Sequence, residues 1–216
     1  MAKEEQEKTI EKEEEKNDVN EMLVSEETYL TSGVHIGTRQ KTSDIKKFIY
    51  KVRNDGLYII DVKKTDDRIK EAAKFINNFN PKETLVVSVR QYGQKPIQMF
   101  SKYTGVSVLE GRVRPGTLTN PNSPNYREPE LLILTDPLAD SQALVEAKNV
   151  NIPAVGLSDT NNEAKYLDLI IPTNNKGRRA LALVYWLLTR EVLKDRGAIE
   201  SYEDFEPEIE DFEAEI

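Results

Sequence analysis

Residues 85–109 read LVVSVRQYGQKPIQMFSKYTGVSVL, and the architecture of the chain is set here. Leu85-Val86-Val87-Ser88-Val89 is short, β-branched and almost continuously apolar, as a strand buried on both faces should be. A helix from Lys95 to Tyr103 follows and is stopped by Gly105, and Val106 to Leu109 resumes the β pattern. Strand, helix and strand in succession form a βαβ unit, in which the two strands run parallel and the helix covers one face.

The alternation continues on either side. Before this unit, Lys64 to Phe79 carries Ile69, Ala72, Ala73, Ile76 and Phe79 as a helical stripe that stops short of Pro81. Earlier still, Phe48-Ile49-Tyr50 and Leu57-Tyr58-Ile59-Ile60 flank Asn54-Asp55-Gly56. Asp-Gly accepts the positive φ of a tight turn, so these two runs predict a β-hairpin. Order is expected to begin near Met22-Leu23, with a short helix carrying Tyr29 and Leu30. After the unit come strands at Leu131–Leu134, Pro153–Leu157 and Leu167–Ile171, a helix over Gln142 to Lys148, and a closing helix from Lys176 to about Asp195. The centre of that last helix, Ala180 to Leu188, is apolar almost all round and must be buried, with Trp186 packed there. Five parallel strands between 85 and 171 predict a flavodoxin-like, doubly wound α/β sheet with helices on both faces, plus an N-terminal helix and a β-hairpin extension.

Residues 110–130 break the pattern. They hold four prolines and no apolar periodicity, and are longer than an idle loop in a compact domain should be. The segment is expected to have little core of its own and to be ordered by a partner.

Charge divides the chain into three. Residues 1–27 carry four lysines against eleven acids, and residues 200–216 carry nine acids with no Lys or Arg. Residues 28–199 carry 26 basic and 18 acidic residues, so a body of +8 lies inside a chain of −8. The expected organisation is an acidic arm at 1–21, one α/β domain at 22–199 and an acidic tail at 200–216, both ends solvated because they are so poor in apolar residues. A basic body points to a polyanionic partner.

With no cysteine, disulfides, thiolate metal sites and cysteine nucleophiles are excluded. The longest apolar run, Ala180 to Leu188, is about half of the roughly 18 residues a membrane span requires. The acidic N-terminus is unlike a signal peptide, and a cytoplasmic location without membrane contact is expected.

A doubly wound sheet holds its ligands at the carboxyl ends of its strands. Asp61, Arg90, Glu110, Asp136 and Asp159 fall there, and the carboxylates read better as caps of the following turns than as acid–base or metal groups. No phosphate-cradling glycine motif is present, and Gly33-Val34-His35-Ile36-Gly37 lacks the preceding strand that such a motif needs. His35, the single histidine, has no triad partner at a recognisable spacing.

Three basic clusters say more. The first is Arg39, Lys41, Lys46, Lys47, Lys51 and Arg53. The second is Arg112 and Arg114 within the proline-rich loop, with Arg127 at its far end, where arginine suits bidentate phosphate contact. The third is Asn174, Asn175, Lys176, Arg178 and Arg179 at the start of the closing helix. Cations there oppose the helix dipole, which predicts an anion at that helix start. No base-reading aromatic motif accompanies them, so shape and phosphate contacts should dominate.

Taken in order, several segments carry a family likeness: Gly33-Val34-His35-Ile36-Gly37-Thr38, Phe48 to Arg53 with Asp55-Gly56-Leu57, and Gly111-Arg112 with Pro115 to Asn120. Arg127-Glu128-Pro129, Thr135-Asp136-Pro137 with Ala139-Asp140, and Pro172 to Gly177 complete the set. Together they resemble the second small-subunit ribosomal protein family, in its archaeal and eukaryotic branch (the branch that includes the laminin-receptor-like protein SA). The likeness covers about 28–199. It implies a flavodoxin-like domain on the solvent side of the small subunit, in contact with small-subunit rRNA and neighbouring ribosomal proteins. It implies no enzymatic role, no cofactor and no metal. The bacterial branch carries a long coiled-coil insertion for which this chain has no room. The alternative on architecture alone is a nucleotide- or sugar-phosphate-binding α/β enzyme.

Overall fold

The computed structural model describes residues 22–215; the acidic arm expected at 1–21 lies outside them. Helix α1 (Glu26–Ser32) leads into the hairpin β1 (Ile49–Val52) and β2 (Tyr58–Ile60), which pair antiparallel. Helix α2 (Val62–Asn77), strand β3 (Thr84–Ser88), helix α3 (Gln91–Thr104) and strand β4 (Ser107–Glu110) follow. Strand β5 (Leu131–Leu134), helix α4 (Ser141–Asn149), strands β6 (Ala154–Ser158) and β7 (Leu169–Pro172), and helix α5 (Arg178–Asp195) complete the body. The larger sheet is parallel throughout, in the order β4-β3-β5-β6-β7. That is the doubly wound order expected, and its direction reverses between β3 and β5.

Side chains alternate between the two faces of a strand, and here the alternation sorts two cores. Val86, Leu131, Ile133, Val155, Leu157 and Ile171 join the core under α1, α2, α3 and α5. Leu85, Val87, Leu132, Leu134 and Ala154 face the other way, toward Ala143, Leu144 and Ala147 of α4. One nine-residue helix cannot roof this second face alone. The β4–β5 connection supplies the rest, with Val113 and Leu118 buried beside α4.

The proline-rich loop is therefore not without a core, contrary to the expectation from its sequence. Burying a valine and a leucine contributes about 1.5–3 kcal/mol each. Glu146, on the inner side of α4, anchors the loop backbone: its carboxylate accepts hydrogen bonds from Gly116 N at 2.8 Å and Leu118 N at 2.9 Å. Arg127 N donates to Thr117 O at 2.8 Å and ties the returning limb to the outgoing one.

Helix α3 starts a turn earlier than its proline suggests. Pro96 deprives the Tyr92 carbonyl of its helical donor, a loss confined to the first turns of the helix. Gly93 makes this start possible, because a Cβ there would stand 2.3 Å from Ser88 Oγ.

The acidic tail departs most from expectation. The segment 200–215 docks on α3 and α5 through Phe205, Phe212 and Ala214, which are buried, while its acids other than Glu213 stay exposed. Tyr103 stacks on Phe212 at 6.3 Å and meets Phe205 edge-on at 5.9 Å. Trp186, half-buried, donates Nε1–H to Pro207 O at 2.7 Å. Nine acids in seventeen residues hide this apolar set, because the average composition is that of a disordered segment while Phe205, Ile209 and Phe212 recur at a spacing that packs.

Candidate nucleic-acid interface

The carboxyl edge of the parallel sheet gathers Arg90, Glu110, Asp136 and Asp159 as expected from sequence, whereas Asp61 follows hairpin strand β2, outside that sheet. At its centre, where the winding reverses, the crevice between β3 and β5 is bridged by the chain's own side chains. Arg90 Nη2 and Nε reach Asp136 Oδ2 at 2.5 and 2.7 Å, and Asn162 Nδ2 donates to Asp136 Oδ1 at 2.9 Å. Asp136 is 1% exposed, so its charge is held by this pairing rather than by water. Next to it Lys176 Nζ pairs with Asp159 Oδ2 at 2.6 Å and Asn161 Oδ1 at 2.8 Å. Asp61 caps α2 through Lys63 N, and Glu110 accepts from Gln98 Nε2 at 2.8 Å. Among the described residues no group of three His, Cys, Asp or Glu side chains is placed to hold a metal ion. Burial lowers the His35 pKa below the usual histidine value, with a backbone hydrogen bond opposing it.

Asp140 lies under this network, 1% exposed, and accepts from Val89 N at 2.9 Å and Asp136 N at 3.1 Å. Burial outweighs those two bonds and pushes its pKa up to about 6, with Asp136 adding repulsion and Arg90 opposing it. A folded-state pKa above the unfolded value means that the folded chain keeps a proton which the unfolded chain has already lost. Stability from this group is therefore present at low pH and falls as pH rises from about 4 through about 6, by about 3 kcal/mol in all. Asp140→Asn carries no such proton. The stability difference between the native chain and this variant should accordingly shrink by about 3 kcal/mol between pH of about 4 and 7 in paired urea titrations; a constant difference would contradict the raised pKa.

Of the first basic cluster, Arg39 and Lys41 lie on a segment held at the β6 end of this edge, while Lys46, Lys47, Lys51 and Arg53 follow on the way into and along the hairpin. Thr38 N bonds Thr160 Oγ1 at 2.8 Å, Thr42 N bonds Thr160 O at 3.0 Å, and Thr42 Oγ1 bonds Asn162 O at 2.7 Å. These bonds fix the segment 37–44 over the end of β6. Arg39, Lys41, Lys46, Lys47, Lys51 and Arg53 are all exposed. Arg53 pairs with Asp55 at 2.6 Å, while Lys41 and Lys51 sit over the rings of Tyr58 and Tyr50 at 5.0 and 5.6 Å. Tyr50 is 69% exposed, an aromatic among cations that its place in an apolar run had disguised.

The second cluster lies at the opposite, β4 end. Arg112, Arg114 and Arg127 are exposed, and Arg127 Nη1 touches Val108 O at 3.3 Å. Among the described residues Arg112 and Arg114 have no acidic partner.

The third cluster turns inward, and its cations face carboxylates of the chain itself. Asn174 Oδ1 accepts from Lys176 N and Gly177 N at 3.0 and 3.1 Å, and Asn175, fully buried, donates to Leu157 O at 2.8 Å. Arg178 Nη2 pairs with Glu213 at 2.6 Å and its Nη1 donates to Ala214 O at 3.1 Å. Arg179, 65% exposed at its side chain, lies 3.5 Å from the same carboxylate. Glu213, carried there by the docked tail, thus places one carboxylate of the chain at the helix start.

Comparison with known proteins agrees with this architecture. The chain matches the family described as ribosomal protein S2 over residues 29–127 and 123–194. It is 55% identical to the small ribosomal subunit protein uS2 of Thermoplasma acidophilum over 196 residues, which is 91% of this chain and 98% of that protein. The proteins of the same name from Thermoplasma volcanium and Picrophilus torridus are 54% and 50% identical over the same shares.

Proposed function

The chain belongs to the ribosomal protein S2 family, and we propose accordingly that it is a structural, non-catalytic constituent of the small ribosomal subunit. Its relatives carry the name of that particle. Its partners on this reading are small-subunit rRNA and neighbouring ribosomal proteins, in the cytoplasm. No helix among the described residues is long and apolar enough to cross a membrane.

One observation carries the reading furthest. The crevice in which a doubly wound enzyme would hold its substrate is bridged by the Arg90–Asp136 ion pair, while exposed cations stand toward both ends of the same edge. Four inter-strand steps separate β4 from β7, about 19 Å, so the two exposed clusters can grip one RNA segment at separate phosphates. Arg39, Lys41, Lys46, Lys47, Lys51, Arg53, Arg112, Arg114 and Arg127 are the proposed contacts. Lys176, Arg178 and Arg179 come second, since each already faces a carboxylate.

Co-sedimentation of the chain with small subunits across a salt series tests this. Affinity should fall steeply with salt, and replacing Arg112 and Arg114 with glutamine should reduce the slope of log affinity against log salt by about one for each phosphate no longer neutralised. Binding that ignores salt would leave protein contacts, not RNA, as the basis of association. An enzyme on this fold should instead bind a small anionic ligand tightly without RNA.

A further inference from the structure

We propose that the cleft between the two limbs of the 110–127 loop binds one unstacked nucleotide of a single-stranded RNA segment, its phosphate on Arg112 and Arg114 and its base against Tyr126. This rests on the RNA-binding reading above and gives that surface a specific ligand. The cleft has a volume of about 390 Å³, within the range of small-ligand sites. Arg112 and Arg114 line it from the outgoing limb, and Pro124, Asn125, Tyr126 and Arg127 from the returning one.

Three features favour a nucleotide there. Arg53, Arg90 and Arg178 each pair with a carboxylate, but Arg112 and Arg114 are in no ion pair among the described residues, although Glu110 lines the same cleft. That carboxylate is engaged by Gln98 Nε2 at 2.8 Å and not by either arginine. Two forked cations outside any ion pair suit a phosphate, which both can hold bidentately.

The backbone is also set beforehand. Glu146 holds Gly116 and Leu118, Val113 and Leu118 are buried, and the Arg127 N to Thr117 O bond clamps the limbs together. A ligand therefore meets a built cleft and does not have to order the loop, which removes a cost that flexible loops carry. Finally, Tyr126 lines the cleft from the returning limb, and aromatic rings stack on any unpaired base. A base inside an A-form helix cannot enter such a cleft, so the ligand is a single-stranded or bulged nucleotide.

The test uses the full chain and three RNA probes: a single-stranded octauridylate with 4-thiouridine at its centre, a hairpin duplex of equal phosphate number, and uridine monophosphate. The octamer should crosslink within 124–127. Tyr126→Ala should weaken octamer binding about tenfold and leave the hairpin unchanged, while Tyr126→Phe should bind as the native chain does. Equal losses in the Ala and Phe variants would overturn the stacking site, as would equal weakening of octamer and hairpin, or absence of octamer binding by the native chain. Monophosphate binding as tight as the octamer's would overturn the RNA strand as ligand. Co-sedimentation separates this from the wider reading. A chain that enters small subunits normally but shows no Tyr126 effect loses only the cleft, and one that binds the octamer but never co-sediments loses only the ribosomal assignment.

Discussion

Replacing Phe212 with alanine is expected to destabilise the folded chain by about 3–5 kcal/mol, as the loss of a fully buried aromatic does elsewhere. Phe212 has no exposed surface, stacks on Tyr103 and sits against α3 and α5, where no other side chain can fill its place without moving the tail. The change should also loosen what the tail covers, namely the Phe205 contacts with Tyr103 and Trp186 and the Trp186 bond to Pro207. Urea unfolding of the single variant measures this directly. Arg178→Gln offers a scale for comparison, since a partly exposed ion pair contributes only about 0–1 kcal/mol. A Phe212 variant as stable as the native chain would mean that the acidic tail is solvated after all.

Removing the carboxylate of Asp136 should be nearly as costly. Asp136→Ala leaves Arg90, the Asn162 amide and Leu138 N without their acceptor in a site that water barely reaches. Breaking one side of a buried pair costs about 3–5 kcal/mol, and the lower end applies because Arg90 is 32% exposed and can rehydrate. Asp136→Asn keeps the oxygen bonded to Asn162 and Leu138 and should lose less. Denaturation midpoints for the two variants separate these contributions. Equal, small losses would show that Arg90 and Asp136 are paired only weakly, and would weaken the argument from the bridged crevice.

The basic clusters divide in the same way between what composition shows and what geometry adds. That Arg112, Arg114 and the 39–53 cations would be exposed followed from polar, loop-forming surroundings. That Lys176 and Arg178 would be engaged did not follow, because Asp159 and Glu213 are ordinary acids in the sequence. Glu146 left a faint trace: a glutamate between Leu144 and Ala147 on the buried side of a short helix calls for an unusual partner. The partner itself, the backbone of Gly116 and Leu118, lies 30 and 28 residues earlier in the chain.

The parallel sheet, the hairpin at Asn54-Asp55-Gly56 and the family likeness were all legible without coordinates. The sheet and the hairpin depend on local backbone preference and on a hydrophobic period of 2 or 3.6, both of which are written within a few residues of chain, while the family likeness rests on the resemblance of six separate segments. It took the folded arrangement to show that the proline-rich loop roofs the second face of the sheet, that the acidic tail docks through Phe205 and Phe212, and that Glu213 meets Arg178. Each of these joins segments remote in sequence, as in the Arg178–Ala214 bond across 36 residues. Whether a charge is free or paired depends on which distant group the folded core brings within about 4 Å of it, a distance that no local pattern encodes.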